Sequence, residues 1–525
     1  MGQPAVKLPT RSRAAVRRLT ACLAQTIKSA KSNATLNNIP GPEEARMAPL
    51  NGKPQKAYAD LREYLIVLEQ NGKLKRISRP VDKDWEISAV ARVNFQSVPE
   101  EQRCALLFEN VKGFDIPVVL GVLGSSRAIY ALALRVPGID DIPGAWTRAL
   151  HNPIAPEIVG SAPVHEEVHL GEAASLHTLP VPTWTVGYDP GPYLTAPLVI
   201  TRDPETGIQN IGTYRCQIKG PRKIGISMLN VQDGRKHVLM HNERDLPTPV
   251  CVAMGTDPSI GLCSVSRIPY GTDEMGVAGA LRGEPVPVVK AKTVDLLVPA
   301  NAEIIIEGFI RKSETEREGP FGEYTGYIGA ALDSFVLDVT AITRRHRPIY
   351  QAFLSEMPPS ESSTIRGFGR EAAIRRHLLD LKLPVRDVHL LHASGAGGYL
   401  VISIKKEYPG QAQQVMFGAW AVDPTLGKFT VVVDEDIDVR DAFMVNWALS
   451  FRVQPHKDIL IAPNTAALRL DPSQAAEDVP PQDPSRLTSS KIGIDATKKH
   501  AFPPTSLPPA EHLARVRAEW KEYGF

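Results

Sequence analysis

The chain has 525 residues, 43% of them hydrophobic and 22% charged, which suffices for two or three self-sufficient cores and is unlike disordered or collagenous chains. A net charge of +2 excludes a strongly basic nucleic-acid binder, and no run of about 18 apolar residues is present to span a membrane. The cysteines Cys22, Cys104, Cys216, Cys251 and Cys263 are odd in number and lack CxxC spacing; they read as reduced thiols of a cytoplasmic protein.

The charge is uneven. Residues 1–46 hold eight Lys/Arg against Glu43 and Glu44, a balance of +6 that leaves −4 for the remaining 479. Residues 1–56 are expected to form a disordered basic extension. Its basic part reads either as an upstream start, with Met47 as the alternative initiator, or as an Arg-rich transit segment.

Residues 57–162 read as an N-terminal α/β domain. Leu61, Leu65 and Leu68 recur at i, i+4 and i+7, which predicts a helix capped by Asp60, stopped by Asn71-Gly72 and followed by a strand. "CALLFENV" and "IPVVLGVLG" are short apolar strands. From 163 to 345 strand-length runs alternate with Gly/Pro turns, the texture of a β-barrel or sandwich. They include "APLVITRD", "NIGTYRCQIKG", "KIGISML" and "DSFVLDVTAITRR", with "RKHVLMHNERD" a helix among them. From 346 to 504 strands alternate with helices ("EAAIRRHLLDLKLP", "GYLVISIKK", "AQQVMFGAWAV", "FTVVVDED", "DILIAP"), favouring a mostly parallel sheet. A Pro-rich loop covers 474–486. Residues 505–525 predict an amphipathic helix with Leu513 and Val516 on its apolar side, suited to docking on a partner subunit or on its own domain.

"REGPFGEYTGY", residues 317–327, holds Glu318 and Glu323. A regular strand points residues five apart to opposite faces. Gly319, Pro320 and Gly322 argue against a regular strand, because proline fixes φ and glycine opens it. The two carboxylates are therefore expected to converge on a turn. Other polar residues fall in the same region: Asn210, Tyr214 and Arg215; His237 and His241; Asp273, Glu274 and Arg282. Each has an ordinary alternative: a surface arginine, a solvated helix face, a helix cap. The His pair lacks the Glu of HExxH, and GxSxG, Walker and strand-borne GxGxxG motifs are absent.

Five blocks, "NIGTYR", "VAGALRGEPV", "VPANAEIIIEG", "EGPFGEYTGY" and "SSKIGIDATKK", follow in order. From about residue 57 onward the chain resembles the UbiD-type family of reversible decarboxylases, which use prenylated FMN. The resemblance implies an α/β (α+β) fold: an N-terminal α/β domain, a central split β-barrel that binds the flavin, and a C-terminal α/β domain with a dimerising helix. It implies a catalytic network of Arg215, Glu318 and Glu323, the last being Asp in some relatives. It implies a divalent metal, Mn2+, on Asn210, His237 and Glu274, with K+ as a further cation. The cofactor-binding set it implies is Asn210, Thr213, Tyr214, Arg215, Met228, His237, Glu274 and Lys491. Substrate-pocket candidates are Tyr324, Phe353 and Leu354. An aromatic, heteroaromatic or α,β-unsaturated acid is the implied substrate, a flavin prenyltransferase the cofactor supplier, and a homodimer or homohexamer the assembly. On this reading Arg215 pairs with Glu318 and Glu323 donates the proton. Asn210 and Arg215 are five apart, so the chain is expected to bend near Gly212. The alternatives are a flavin reductase-like oxidoreductase and a non-catalytic cofactor-binding subunit of a decarboxylase complex.

Overall fold

The computed structural model describes residues 56–228, 232–423, 425–466, 468, 470–474 and 488–524. The basic extension, Cys22, Met47 and most of the Pro-rich loop lie outside these residues. The chain divides into Leu50–Pro504 and a second unit, Met1–Pro49 with Thr505–Phe525. In the second unit the expected terminal helix runs Ala510–Ala518.

In the first region Leu61–Gln70 is helical, with Asp60 accepting from the Glu63 N–H at 2.9 Å, a cap of the kind the sequence predicts. Leu61, Tyr64, Leu65 and Leu68 form its buried face. Strands Leu74–Ile77, Ala105–Phe108 and Val118–Leu120 lie side by side. A fourth strand, Tyr350–Ala352, completes this sheet from beyond the barrel, four residues past the expected boundary at 346.

The central sheet positions the site. Its main strands are β1 (Tyr193–Leu194), β2 (Leu198–Arg202), β3 (Gln209–Thr213), β4 (Cys216–Gly220), β5 (Lys223–Ile226), β6 (Thr248–Met254), β7 (Ile304–Glu318) and β8 (Leu332–Arg344). They are ordered β1-β4-β5-β8-β7-β6-β2-β3, and Glu167–Leu170 adds to β8. β3 ends one edge, while β4 lies next to the other edge; only Tyr214 and Arg215 join them. The three steps from Thr213 to Cys216 span about 11 Å at most, so the sheet must curl until β3 comes back beside β4. The result is a split barrel, and Arg215 sits on its seam. Residues from this sheet and the first one share a single apolar core that includes Phe108, Leu120, Tyr193, Ile306, Leu337 and Tyr350.

The bend between Asn210 and Arg215 falls at Tyr214–Arg215, not at Gly212, which is inside β3. Gly212 serves another purpose: a Cβ there would lie 2.2 Å from the Tyr214 ring and hydroxyl.

The helices α1 (Asp233–Glu243) and α2 (Glu274–Arg282) belong to the barrel region. Helix α3 (Glu361–Asp380) opens the C-terminal region with a Ser360/Ser363 capping box. The Glu361 carboxylate takes the N–H groups of Gly121 (2.7 Å) and Leu123 (2.9 Å), tying α3 to a loop of the first region. The C-terminal sheet runs Val385–Leu390, Tyr399–Ile404, Phe429–Asp434, Thr488–Ala496, Ile459–Ala466. It is mixed, not mostly parallel: the inner pairings are parallel and both outer ones antiparallel. The link 391–398 holds only a short 3-10 turn, too short for a parallel crossover.

Candidate active site

The long strand β7 delivers Glu318 as its last residue. Gly319 then turns the chain at φ +91°, a conformation L side chains rarely adopt, where a Cβ would also crowd the Ala331 backbone at 3.1 Å. The short ladder Phe321–Gly322 against Ile328–Gly329 brings the chain back toward β8. The two carboxylates converge as the turn chemistry predicts, and Arg215 stands between them. Its Nε and Nη2 donate to the two Glu318 oxygens at 3.0 and 2.8 Å, and its Nη1 donates to Glu323 Oε1. The guanidinium lies over the Phe321 ring, 5.3 Å from the centroid. Arg215 therefore pairs with both acids, not with Glu318 alone.

The Glu318 side chain is fully buried, and those of Arg215 and Glu323 are 14% and 15% exposed. Burial works to lower the Arg215 pKa; the Glu323 and Glu318 carboxylates outweigh it and raise the value above the ordinary arginine range. Two acids thus share one guanidinium, with one negative charge in excess when both are ionised. Such a set accepts a proton or exchanges an anion readily.

On the other side of Tyr214, Asn210, His237 and Glu274 line one void of about 10 Å³, together with Asp203, Asp233 and Tyr270. That is room for a single ion or water. Asn210 Nδ2 donates to the Tyr214 hydroxyl at 3.3 Å, leaving Oδ1 for a ligand. His237 Nδ1 faces Thr201 Oγ1 at 2.9 Å, leaving Nε2, and burial depresses its pKa, favouring the neutral, metal-binding imidazole. Burial pushes the Glu274 carboxyl up to about 8, with Asp273 and Asp233 adding to the effect. A buried acid in want of a counter-charge, an amide oxygen and an imidazole suit a divalent cation of the Mn2+ type.

The remaining candidates are placed as follows. Tyr214 is buried and accepts from the Gly234 N–H at 3.4 Å as well as from Asn210, so it props the ion set. The Thr213 hydroxyl pairs with Ser264 at 2.8 Å. Met228 is buried. Lys491 lies apart from the ion set, in a cavity of about 330 Å³ lined also by Thr325, Tyr399, Lys428 and Asp471. It donates to the Leu426 carbonyl, and burial lowers its pKa to about 8. Tyr324 carries the Arg366 guanidinium 3.7 Å above its ring. Phe353 and Leu354 are buried, Leu354 in the apolar core. Tyr193, buried with its ring 4.2 Å from Phe321, was not marked by any motif; only the strand register brings it here.

Sequence profiles described as 3-octaprenyl-4-hydroxybenzoate carboxy-lyase match residues 65–144 (N-terminal domain), 157–358 (Rift-related domain) and 363–496 (C-terminal domain). An uncharacterized protein of Archaeoglobus fulgidus is 35% identical over 495 residues, covering 89% of this chain and 98% of that protein. The structure of the UbiD-class enzyme HmfF from Pelotomaculum thermopropionicum in complex with FMN is 35% identical, with a TM-score of 0.78 over 87% of this chain and 99% of that one. Vanillic acid decarboxylase of Sedimentibacter hydroxybenzoicus in closed form is 29% identical, with a TM-score of 0.77 over 89% and 99%. The 3,4-dihydroxybenzoic acid decarboxylase of Klebsiella pneumoniae is 27% identical, with a TM-score of 0.76 over 87% and 99%. An evolved dimeric form of HmfF is in complex with prFMN.

The split barrel and these relatives define a carboxy-lyase, which separates this protein from the flavin reductase-like reading. The chain belongs to the UbiD, or 3-octaprenyl-4-hydroxybenzoate carboxy-lyase, family.

Proposed function

We propose that the protein is a prenylated-FMN-dependent, reversible, non-oxidative decarboxylase of an aromatic, heteroaromatic or α,β-unsaturated carboxylic acid. The observation that carries this reading is the Arg215 guanidinium held between Glu318 and Glu323.

Glu318 fixes the guanidinium through a two-pronged fork, the strong form of such a pair. Nη1 is then the edge offered to an incoming carboxylate. Substrate entry displaces Glu323 from that edge, and Glu323, near a second carboxylate and without its cation, takes up a proton. When the carbon–carbon bond breaks, CO2 leaves and Glu323 delivers its proton to the carbon. Glu323, now ionised, returns to Nη1. The negative charge passes from substrate to Glu323, so Arg215 has a partner at both ends of the step. The prenylated flavin, when bound, supplies the electron sink for the electrons left on the carbon.

Asn210, His237 and Glu274 would hold a Mn2+ ion that neutralises the cofactor phosphate, with K+ as a further cation. A flavin prenyltransferase supplies the cofactor. Tyr324, directly after the proton donor, bounds the substrate space. A cytoplasmic homodimer or homohexamer suits the free thiols Cys104, Cys216, Cys251 and Cys263 and the evolved dimeric form of HmfF.

The test is coexpression with a flavin prenyltransferase, followed by mass and absorption spectra of the extracted cofactor and a screen of carboxylic acids for CO2 release. Prenylated FMN with CO2 from a panel member supports the proposal. Ordinary FMN, or none, with no CO2 from any acid overturns it.

A further inference from the structure

We propose that Tyr193 is a positioning residue for the decarboxylation, holding Glu318 in the orientation that keeps Arg215 forked. This rests on the function proposed above.

Strand register places Tyr193 near Glu318. In the β1–β4 pairing Tyr193 is opposite Gln217, and in the β4–β5 pairing Gln217 is opposite Gly225. Directly paired residues send their side chains to the same face of a sheet, so these three form one row. Glu318 lies over the end of that row: a Cβ on Gly225 would sit 3.5 Å from its Cγ. A Cβ at 225 would crowd Lys219 Cε at 2.9 Å and only touch Glu318, so the Lys219 stem and the Glu318 side chain share the face that carries Tyr193.

Tyr193 is fixed from the opposite side. Its ring packs 4.2 Å from Phe321, the same ring on which Arg215 rests. The Trp184 indole N–H donates to its carbonyl at 3.0 Å. The residue is fully buried; its hydroxyl makes no hydrogen bond of ordinary length among the described residues and has Glu318 as its hydrogen-bonding neighbour. A buried hydroxyl without a partner is costly. The charged groups acting on it are Glu318, Arg215 and Asp189. Burial, then the Glu318 charge, raise the phenol pKa, so the group remains a donor at any working pH.

Besides Arg215, the Glu318 carboxylate is approached among the described residues by the Tyr193 phenol and by the Ser334 hydroxyl at 3.5 Å. A phenol O–H donated to it satisfies a lone pair that the fork leaves open and favours the ionised form that grips Arg215. The titratable and charged groups around Glu318 are Arg215, Tyr193, Cys216, Lys219, whose ammonium donates to the Arg317 carbonyl at 2.6 Å, and, through Arg215, Glu323 and Asp189. Among them only the phenol is a neutral donor at neutral pH with no other close partner.

The experiment compares cofactor-loaded wild type and Tyr193→Phe by crystal structure and by the pH profile of kcat. The expected structures show the phenol within about 2.8 Å of a Glu318 oxygen in wild type, and Glu318 rotated off the fork in the variant. The expected kinetics are a roughly tenfold to hundredfold lower kcat with the acid limb moved to higher pH, at unchanged flavin content. A phenol bonded to another group, or a variant with the fork intact and the profile unmoved, overturns the assignment. If Tyr193→Phe lost flavin, Tyr193→His, which keeps a donor, must restore the fork, and failure to do so also overturns it. The structures need no turnover, so a wild type without CO2 release would refute the proposed activity while the Tyr193 contact is still decided.

Discussion

Replacing Arg215 by lysine separates charge from geometry at the centre of the site. Arg215 makes three charge-assisted bonds, two to Glu318 and one to Glu323, each worth about 1.5–3 kcal/mol. Lysine keeps the charge but is a point donor on a flexible stem, without the planar fork. It can serve the buried Glu318 or the reacting carboxylate well, but not both. Losing the bond to the reacting carboxylate and part of the orientation of Glu318 sums to about 3–4 kcal/mol, and each 1.4 kcal/mol is a factor of ten, so kcat/KM should fall roughly 10²- to 10³-fold. Stability should fall by about 1.5–3 kcal/mol, one fork limb, and by more, about 3–5 kcal/mol, in Arg215→Ala, which leaves the fully buried Glu318 without a partner. Initial rates of CO2 release, with chemical denaturation and flavin content alongside, measure both quantities. A lysine variant within tenfold of wild type would refute the claim that the fork geometry is needed.

The ion set yields its own expectation. Glu274→Gln and Asn210→Ala should each lower bound Mn2+, read by elemental analysis of the purified protein, while Arg215→Lys keeps it. Gly212→Ala should displace Tyr214, whose ring lies 2.2 Å from the new Cβ, and cost about 1–3 kcal/mol of stability, together with bound metal. Burial, against several backbone N–H donors, pushes Glu361 up to about 7. Its folded value lies above the unfolded one of about 4.3, so its contribution is full below that pH and is lost as pH rises through 7. The melting temperature of wild type relative to Glu361→Gln should therefore decline between pH 4.5 and 7.5; a constant difference would contradict this.

The turn between the two acids was open to reading because its chemistry is local. Backbone preference at Gly319 and Pro320 breaks the long strand after Glu318, and Phe321–Gly322 resumes only as a short ladder. The helix at Leu61–Gln70 was equally legible from its leucine spacing and Asp60 cap. The acids' partner across the barrel, Arg215, was given by the resemblance and not by any local pattern. Strand order places β3 at one edge and β4 one strand in from the other, and no residue pattern within "NIGTYRCQIKG" records that the sheet curls to rejoin them. For the same reason the bend was sought at Gly212, where the glycine instead makes room for a ring. The C-terminal sheet was misjudged because alternation of helix and strand suggests parallel pairing, whereas the short link 391–398 returns the chain directly. Tyr193 has no motif; its place depends on the register of β1, β4 and β5, and on β7 bringing Glu318 onto their face. Lys491 belongs to the cofactor-binding set by resemblance, and it lines a different cavity from Asn210, His237 and Glu274.

The most direct test of the account is decarboxylation in D2O by cofactor-loaded wild type and Glu323→Gln. The account predicts that wild type releases CO2 and leaves one deuterium on the carbon that carried the carboxylate. The variant should retain flavin and metal yet release CO2 at less than about a thousandth of that rate, the scale of a lost proton donor. Release by the variant at more than a tenth of the wild-type rate, with deuterium still delivered, would contradict Glu323 as the donor.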